Sequence, residues 1–346
     1  MTSLRRVALS LTLLLFATSA FSAAPPPTSV TPELVAAAKK EGTIVFYTSI
    51  ELQTAEKIGE AFEKAYPGIK VQVERSGAER IFQRLLQERG SNIHAADVVE
   101  ASDMTMLFTW KHESWLAPFV PVDVMKWPTN QRDPDGCFAS ERLTLAPIVY
   151  NTKLVKPEDA PKSFADLLDP KWNGKIVKAH PGYSGTIMTV TFEISRDIGW
   201  DFYKKLGQQH IMQVQSAADP LKRVMQGERP IAADGTEYTM LQMTSRGAPL
   251  ALVYPSEGTP SIPGGVGVMV DAPHPNAARL FTVYLFSLDG QKLLVDMARM
   301  RSFHPDAPPP EGARPLSDIK IMNADPAEQA KQVDIIKQKY AEYFGL

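Results

Sequence analysis

Cross-linking chemistry is almost absent from this sequence: its 346 residues include one cysteine, Cys137. A lone cysteine forms no intrachain disulfide, so the fold must be held by its core alone. Beyond the first segment there is no apolar run approaching the ~20 residues needed to cross a bilayer. Neither charge dominates. With 37 Lys and Arg against 39 Asp and Glu, the net charge is −2, which leaves no electrostatic footprint for nucleic acid. The histidines at 94, 112, 180, 210, 274 and 304 are scattered and lack the short paired spacing of a metal site. Gly-x-Ser-x-Gly, His-Glu-x-x-His and Walker patterns are all missing. Arg75-Ser-Gly-Ala-Glu79 looks superficially like a nucleophile turn, but no placed His and Asp accompany it. These absences predict a binding protein that needs no cofactor, rather than an enzyme or a nucleic-acid reader.

The N-terminal segment has its own composition. Arg5 and Arg6 precede the apolar stretch Val7 to Ala17, and small residues lead through Ser22, Ala23 and Ala24 into Pro25-Pro26-Pro27. That order is the pattern of a secretory signal peptide over residues 1–24, with cleavage expected near 22–24. The apolar stretch is too short for a membrane anchor, and no cysteine stands near it for lipid attachment. Loss of Arg5 and Arg6 moves the net charge from −2 to −4. The roughly 320 residues that remain have room for two ordinary domains. A monomer outside the inner membrane, in the periplasm, is expected.

The rest of the chain alternates strand and helix signals. Thr31 and Pro32 open a helix that Gly42 ends. Thr43 to Tyr47 is a short β-branched and aromatic run suited to a strand buried on both faces. A helix carrying Ile58, Ala61, Phe62 and Ala65 follows, then a strand at Ile69 to Val73, a helix at Glu79 to Arg89 and a strand at Ala96 to Val99. This order predicts a doubly wound α/β lobe whose ligand crevice lies beyond the carboxyl ends of its strands. The loops there hold Thr48, Ser49, Ser76, Gly77, Arg80 and Ser102. Leu143 to Tyr150 reads as one strand, which Pro147 marks as a crossover. A second α/β pattern then uses strands near Gly174–Ala179, Ile231–Ala233 and Leu250–Tyr254, and Val266 to Val270 returns to the first lobe. The predicted fold class is therefore α/β, with two doubly wound lobes joined by a two-segment hinge. Lobe 1 takes residues 31–146 and 262–300, lobe 2 takes 147–261, and the helical tail 301–346 packs on one lobe.

From Glu41 to about Leu294 the chain resembles the type 2 periplasmic solute-binding proteins of ABC importers, in the branch related to ferric-ion-binding proteins. Gly42-Thr-Ile-Val-Phe-Tyr-Thr-Ser49, Phe62-Glu-Lys-Ala-Tyr-Pro-Gly68, Val149-Tyr-Asn-Thr-Lys-Leu154 and Ser163-Phe-Ala-Asp-Leu-Leu-Asp-Pro-Lys-Trp-Asn-Gly-Lys175 carry the resemblance. Ser163 with Asp166 also reads as a short helix cap, and Trp172 as a side chain buried under the next turn. The resemblance implies cleft closure on a small ligand and delivery to an inner-membrane ABC permease. Scaffold does not fix ligand.

Four candidate regions remain for the ligand. Tyr183, Ser184, Gly185 and Thr186 precede a helix and match in position the loop with which relatives hold an oxyanion; helix-start N–H groups attract negative charge, although Ser184 could equally be an ordinary cap. Glu237-Tyr238 stands where ferric-binding relatives carry adjacent tyrosines. One phenol is missing, which weakens an iron site on Tyr238 and Glu237, and Tyr238 has a core-facing alternative. Arg75 and Arg80 are either anion partners or a solvated helix face. Ser256 and Glu257 either line the cleft or punctuate the hinge. A small polar, anionic organic solute bearing phosphate, phosphonate or carboxylate is the expected ligand, with ferric iron as the alternative and a secreted enzyme as the reading from another class.

Overall fold

The computed structural model describes residues 24–323 and 325–345, so the signal peptide expected over residues 1–24 lies outside them save for Ala24. The first lobe starts with α1 (Pro32–Glu41), β1 (Thr43–Thr48), α2 (Leu52–Ala65), β2 (Lys70–Arg75), α3 (Ala78–Gly90), β3 (Val98–Ala101), α4 (Met104–His112), the short β4 (Leu116–Ala117) and β5 (Phe138–Leu145). Thr31 caps α1 by accepting from the Leu34 N–H at 3.2 Å, and Gly42 ends it in the left-handed region with φ 74°. The chain then enters the second lobe, which holds β6 (Ile148–Asn151), β7 (Ile176–Ala179), α5 (Gly185–Asp197), α6 (Trp200–Gly207), β8 (Met212–Val214), α7 (Asp219–Gln226), β9 (Ile231–Ala232), α8 (Glu237–Thr244) and β10 (Leu250–Val253). It returns through β11 (Ser261–Met269), α9 (Pro275–Phe286) and α10 (Leu288–Ala298), and ends in α11 (Pro326–Phe344).

Two mixed sheets form the layers. The first runs β2-β1-β3-β11-β4, with β5 also paired to β11; β1 is parallel to β2 and β3, and β11 is antiparallel to β3. The second runs β10-β6-β9-β7-β8, with β7 parallel to β8 and β9. Each sheet has its own core. Phe46, Phe62 and Phe281 pack edge to face in the first, and Phe164, Phe202 and Tyr203 fill the second. Each such buried ring contributes roughly 1.5–3 kcal/mol.

Several sequence expectations need correcting. Leu143 to Tyr150 is two strands, because Ala146-Pro147 breaks the run where the chain passes between the sheets. The return strand starts at Ser261 rather than Val266, since pairing with β5 begins at Ser261 opposite Leu145. The strand expected at Ala96 starts at Val98, just after Asp97, whose carboxylate accepts from the Val45 and His274 N–H groups. Ser163 and Asp166 do bond reciprocally, Ser163 Oγ to the Asp166 N–H at 3.0 Å and Asp166 Oδ2 to the Ser163 N–H at 3.1 Å.

The tail does not pack on one lobe. Helix α11 lies against α4 of the first and against α5 and α6 of the second. The buried Gln329 amide donates to Asp103 Oδ1 at 3.1 Å and to Thr189 Oγ1 at 3.2 Å, one acceptor in each lobe. The segment leading to α11 runs along the hinge: the Leu143 N–H donates to the Arg301 carbonyl, and the Met322 N–H to the Thr259 carbonyl. A third segment therefore borders the two crossings of the hinge.

Candidate functional site

The carboxyl ends of the strands in both sheets face one another across a cavity of about 460 Å³. Helix starts supply most of its wall. Ile50, Glu51 and Leu52 lead into α2, Gly77 and Ala78 into α3, Ser184 to Thr186 into α5, and Ala218 and Asp219 into α7. The first N–H groups of a helix have no partner within it, and α2, α3 and α7 start without a side-chain cap. Each start carries roughly half a positive charge. Arg75, Arg80, Arg142 and Lys222 stand in the same wall against two carboxylates, Glu51 and Asp219, and Lys222 pairs with Asp219 at 3.1 Å. Among the lining residues, cations outnumber carboxylates four to two.

The lobes meet beside it. A Cβ added at Gly77 would lie 3.0 Å from the Tyr183 carbonyl oxygen. One added at Gly185 would lie 2.8 Å from Asp103 Cβ and 3.0 Å from Ala78 Cβ. Both positions need glycine because another backbone or Cβ occupies the space a side chain would take.

Of the residues singled out in the sequence, Ser49, Gly77, Arg80 and Ser102 of the first lobe line the cavity, as do Tyr183, Ser184, Gly185, Thr186 and Tyr238. Thr48 does not. It is fully buried, and its hydroxyl donates to Glu100 Oε2 at 2.7 Å while accepting from the Ile50 N–H at 3.0 Å. Ser76 is also outside the wall, its N–H continuing the strand pattern by donating to the Thr48 carbonyl. Glu237 is the clearest correction. Its buried carboxylate takes two bonds from Arg301, at 2.7 and 2.9 Å, and one from the Tyr254 hydroxyl. A buried charge requires such partners, so Glu237 braces the hinge and is not presented to a ligand. Burial, together with Glu237, raises the Tyr254 hydroxyl above its ordinary pKa.

Glu257 caps the turn after Ser163, accepting from the Phe164 and Ala165 N–H groups at 3.1 and 3.0 Å, so it does not line the cleft; neither does Ser256, whose N–H donates to Lys162. Ser184 does cap α5, accepting from Ile187 at 3.4 Å, while still lining the cavity. His180 accepts from the Gly182 N–H through Nδ1 at 2.9 Å, and burial with Lys178 nearby lowers its pKa.

The sequence reading missed the floor of the site. Arg142 on β5, nearly buried, donates through Nη1 to Glu100 at 2.7 Å and to Glu141 at 2.6 Å. Glu100 also takes the Ser49 N–H and hydroxyl, so that hydroxyl is already committed within its own lobe. Gln215, Ser216 and Ala217, ahead of α7, were missed as well. A further cavity of about 450 Å³ lies in the first lobe under Phe119, Val124, Phe138 and Phe286; its wall is mainly apolar and holds none of the candidate residues.

Residues 95–318 match the model of the bacterial extracellular solute-binding protein family. The chain belongs to that family. It is the solute-binding component of an ABC transporter, and relatives agree. The probable ABC transporter periplasmic-binding protein y4fP of Sinorhizobium fredii is 24% identical over 273 residues, 75% of each chain. The periplasmic binding protein AfuA from Actinobacillus pleuropneumoniae, solved with exogenous fructose-6-phosphate bound, superimposes with TM-score 0.81 at 23% identity, covering 88% of this chain and 99% of that one. Iron-bound HitA from Pseudomonas aeruginosa gives 0.76 at 20% identity, covering 86% and 99%. The likeness to AfuA and HitA establishes the two-lobed fold of this solute-binding protein. Among the described residues no helix is long and apolar enough to cross a membrane.

Proposed function

We propose that this solute-binding protein captures a small organic anion, bearing a phosphate, phosphonate or carboxylate group, and hands it to an inner-membrane permease. It acts as a periplasmic monomer once the leader, cleaved near residues 22–24, is removed. One observation carries the reading: four helix starts, two from each lobe, converge with Arg75, Arg80 and Arg142 on a single cavity. Helix starts and planar guanidinium groups are complementary to oxyanions. Arginines from one lobe and N–H groups from both make the closed form the better anion binder, so ligand shifts the equilibrium toward closure.

The neighbours in fold include a protein solved with a sugar phosphate and one solved with iron, so the choice rests on this chain's own residues. Ferric iron is disfavoured because Glu237 is already neutralised by Arg301 and Tyr238 is the single phenol left of the expected pair. Tyr238 also faces the positive Arg142. Calorimetry of the purified chain, refolded free of carried ligand, against sugar phosphates, phosphonates, dicarboxylates and ferric citrate tests the reading. An anion should bind one to one, and Arg80→Ala should weaken it at least tenfold. Stoichiometric ferric binding with an intense phenolate band, lost in Tyr238→Phe, overturns it.

A further inference from the structure

The floor of the cleft holds more acid than its one arginine needs. Arg142 Nη1 lies 2.7 Å from Glu100 and 2.6 Å from Glu141, so the two carboxylates are close neighbours in a buried site. Their hydrogen bonding is unequal. Glu100 accepts from the Thr48 hydroxyl, from the Ser49 N–H and hydroxyl and from the Ile50 N–H, besides Arg142. Glu141 has Arg142 alone among the described residues. Bonds from N–H and O–H donors favour the charged form of a carboxylate. Of the pair, Glu141 is therefore the one placed to take a proton.

Arg142 also has two groups to spare. Nε and Nη2 have no hydrogen-bond partner among the described residues, and Arg142 lines the cavity. Gly264 leaves room for the guanidinium, since a Cβ there would lie 2.6 Å from Arg142 Cζ. The other ionisable groups around the cluster do not alter its balance. Strand β11 brings none, and α8 brings Tyr238, facing Arg142, and Glu237, already held by Arg301 and Tyr254.

Resting on the anionic reading above, we propose that Arg142 is a contact for the solute's anionic group and that Glu141 is a positioning residue, which takes up one proton as the anion binds. With both carboxylates ionised, the cluster is net negative and opposes an incoming anion. A proton from solvent on Glu141 leaves Arg142 balanced by Glu100 alone and opens its outward N–H groups to the solute. Burial, with Glu100 adding to it against Arg142, raises the Glu141 carboxyl to about 7, which places the exchange near neutral pH. The sign follows: affinity is highest below that value and falls as pH rises through it.

Sulfate is the probe, because it does not itself titrate near neutrality. For one linked proton the dissociation constant should rise about tenfold between pH 6 and pH 8. Calorimetry at pH 7 in two buffers of different ionisation enthalpy should report net proton uptake on binding by the wild-type protein, a readout that needs no variant. Glu141→Gln, which keeps an acceptor for Arg142, should bind at pH 8 as the wild type does at pH 6, with no slope and no proton uptake. Sulfate affinity independent of pH in the wild type, or a slope retained in Glu141→Gln, overturns the inference and leaves the anionic reading standing. Failure of sulfate to bind at either pH overturns both.

Discussion

Replacing Gly185 with alanine tests whether closure, rather than a preformed pocket, sets affinity. The added methyl would sit 2.8 Å from Asp103 Cβ, 3.0 Å from Ala78 Cβ and 3.2 Å from Ser102 Oγ. All three neighbours belong to the first lobe, whereas Gly185 starts α5 in the second. The Ser102 hydroxyl can rotate away, but the other two are Cβ atoms fixed by their backbones, and Asp103 is held by Thr105 and Gln329. The clash is relieved only if the lobes part. Overpacking of this kind costs about 1–3 kcal/mol, which is a loss of affinity of about 5- to 150-fold. Folding should be spared, since the open form escapes the contact and alanine is the better helix former by up to ~1 kcal/mol. Calorimetry should show the weakened binding, solution scattering a larger ligand-free radius of gyration, and thermal unfolding without ligand an unchanged midpoint. Affinity within twofold of wild type, with the fold intact, would refute the reasoning.

Two further outcomes rest on buried charge. Arg301→Met should destabilise the protein by about 3–5 kcal/mol in urea unfolding, because it leaves Glu237 buried without its 2.7 Å partner; adding Glu237→Gln should recover part of that loss, and a single-variant effect below ~1 kcal/mol would contradict the pairing. Burial raises the Asp103 carboxyl to about 6, against about 3.9 in an unfolded chain. Between those values the folded form binds more protons, so this group's contribution to stability falls as pH rises through the window. Asp103→Asn should therefore match wild type at pH 4 and exceed it above pH 6, by at most about 3 kcal/mol; a gain that does not vary with pH would exclude titration as its source.

Legibility in the sequence follows burial type. Strand β1 lies buried in the sheet, so its continuous apolar run announced it, whereas β3 showed only Val98-Val99 between Asp97 and Glu100. Strand β5 announced only its end, because its centre reads Ser140-Glu141-Arg142 and charged residues argue against a buried strand unless their pairing is visible. The partner Glu100 is distant in the chain, and no local signal joins the two. The same blindness applied to Glu237, which looked available until Arg301 and Tyr254 were brought beside it. Helix starts were easier, since small residues ahead of a periodic apolar stretch mark them directly, and so Gly77 and Ser184 to Thr186 could be singled out. Gln215-Ser-Ala-Ala-Asp219 carries the same kind of signal more weakly, with α7 only eight residues long behind it. For α11 the amphipathic pattern said that one face is covered, but not that Gln329 on that face bonds to both lobes.

That double contact bears on how the cleft works. Without a ligand, the starts of α2 and α3 on one side and α5 and α7 on the other present like partial charges across the cavity, reinforced by arginines on the first lobe. Such an arrangement opposes its own closure until an anion lies between the two sets, where every helix start interacts with it favourably at once. Opening cannot be unlimited, however, because α11 is packed on α4 as well as on α5 and α6, and the hinge is bordered by a third segment tied at Leu143 and Thr259. Under the proposed cleft closure, rotation about the Ala146-Pro147 and 254–260 crossings would strain the Gln329 bonds to Asp103 and Thr189 first. On the anionic reading proposed above, the solute would have to supply only the difference between those bonds with the lobe contacts at Gly77 and Gly185 and the repulsion of the empty cleft, so a modest differential affinity would be enough to drive closure.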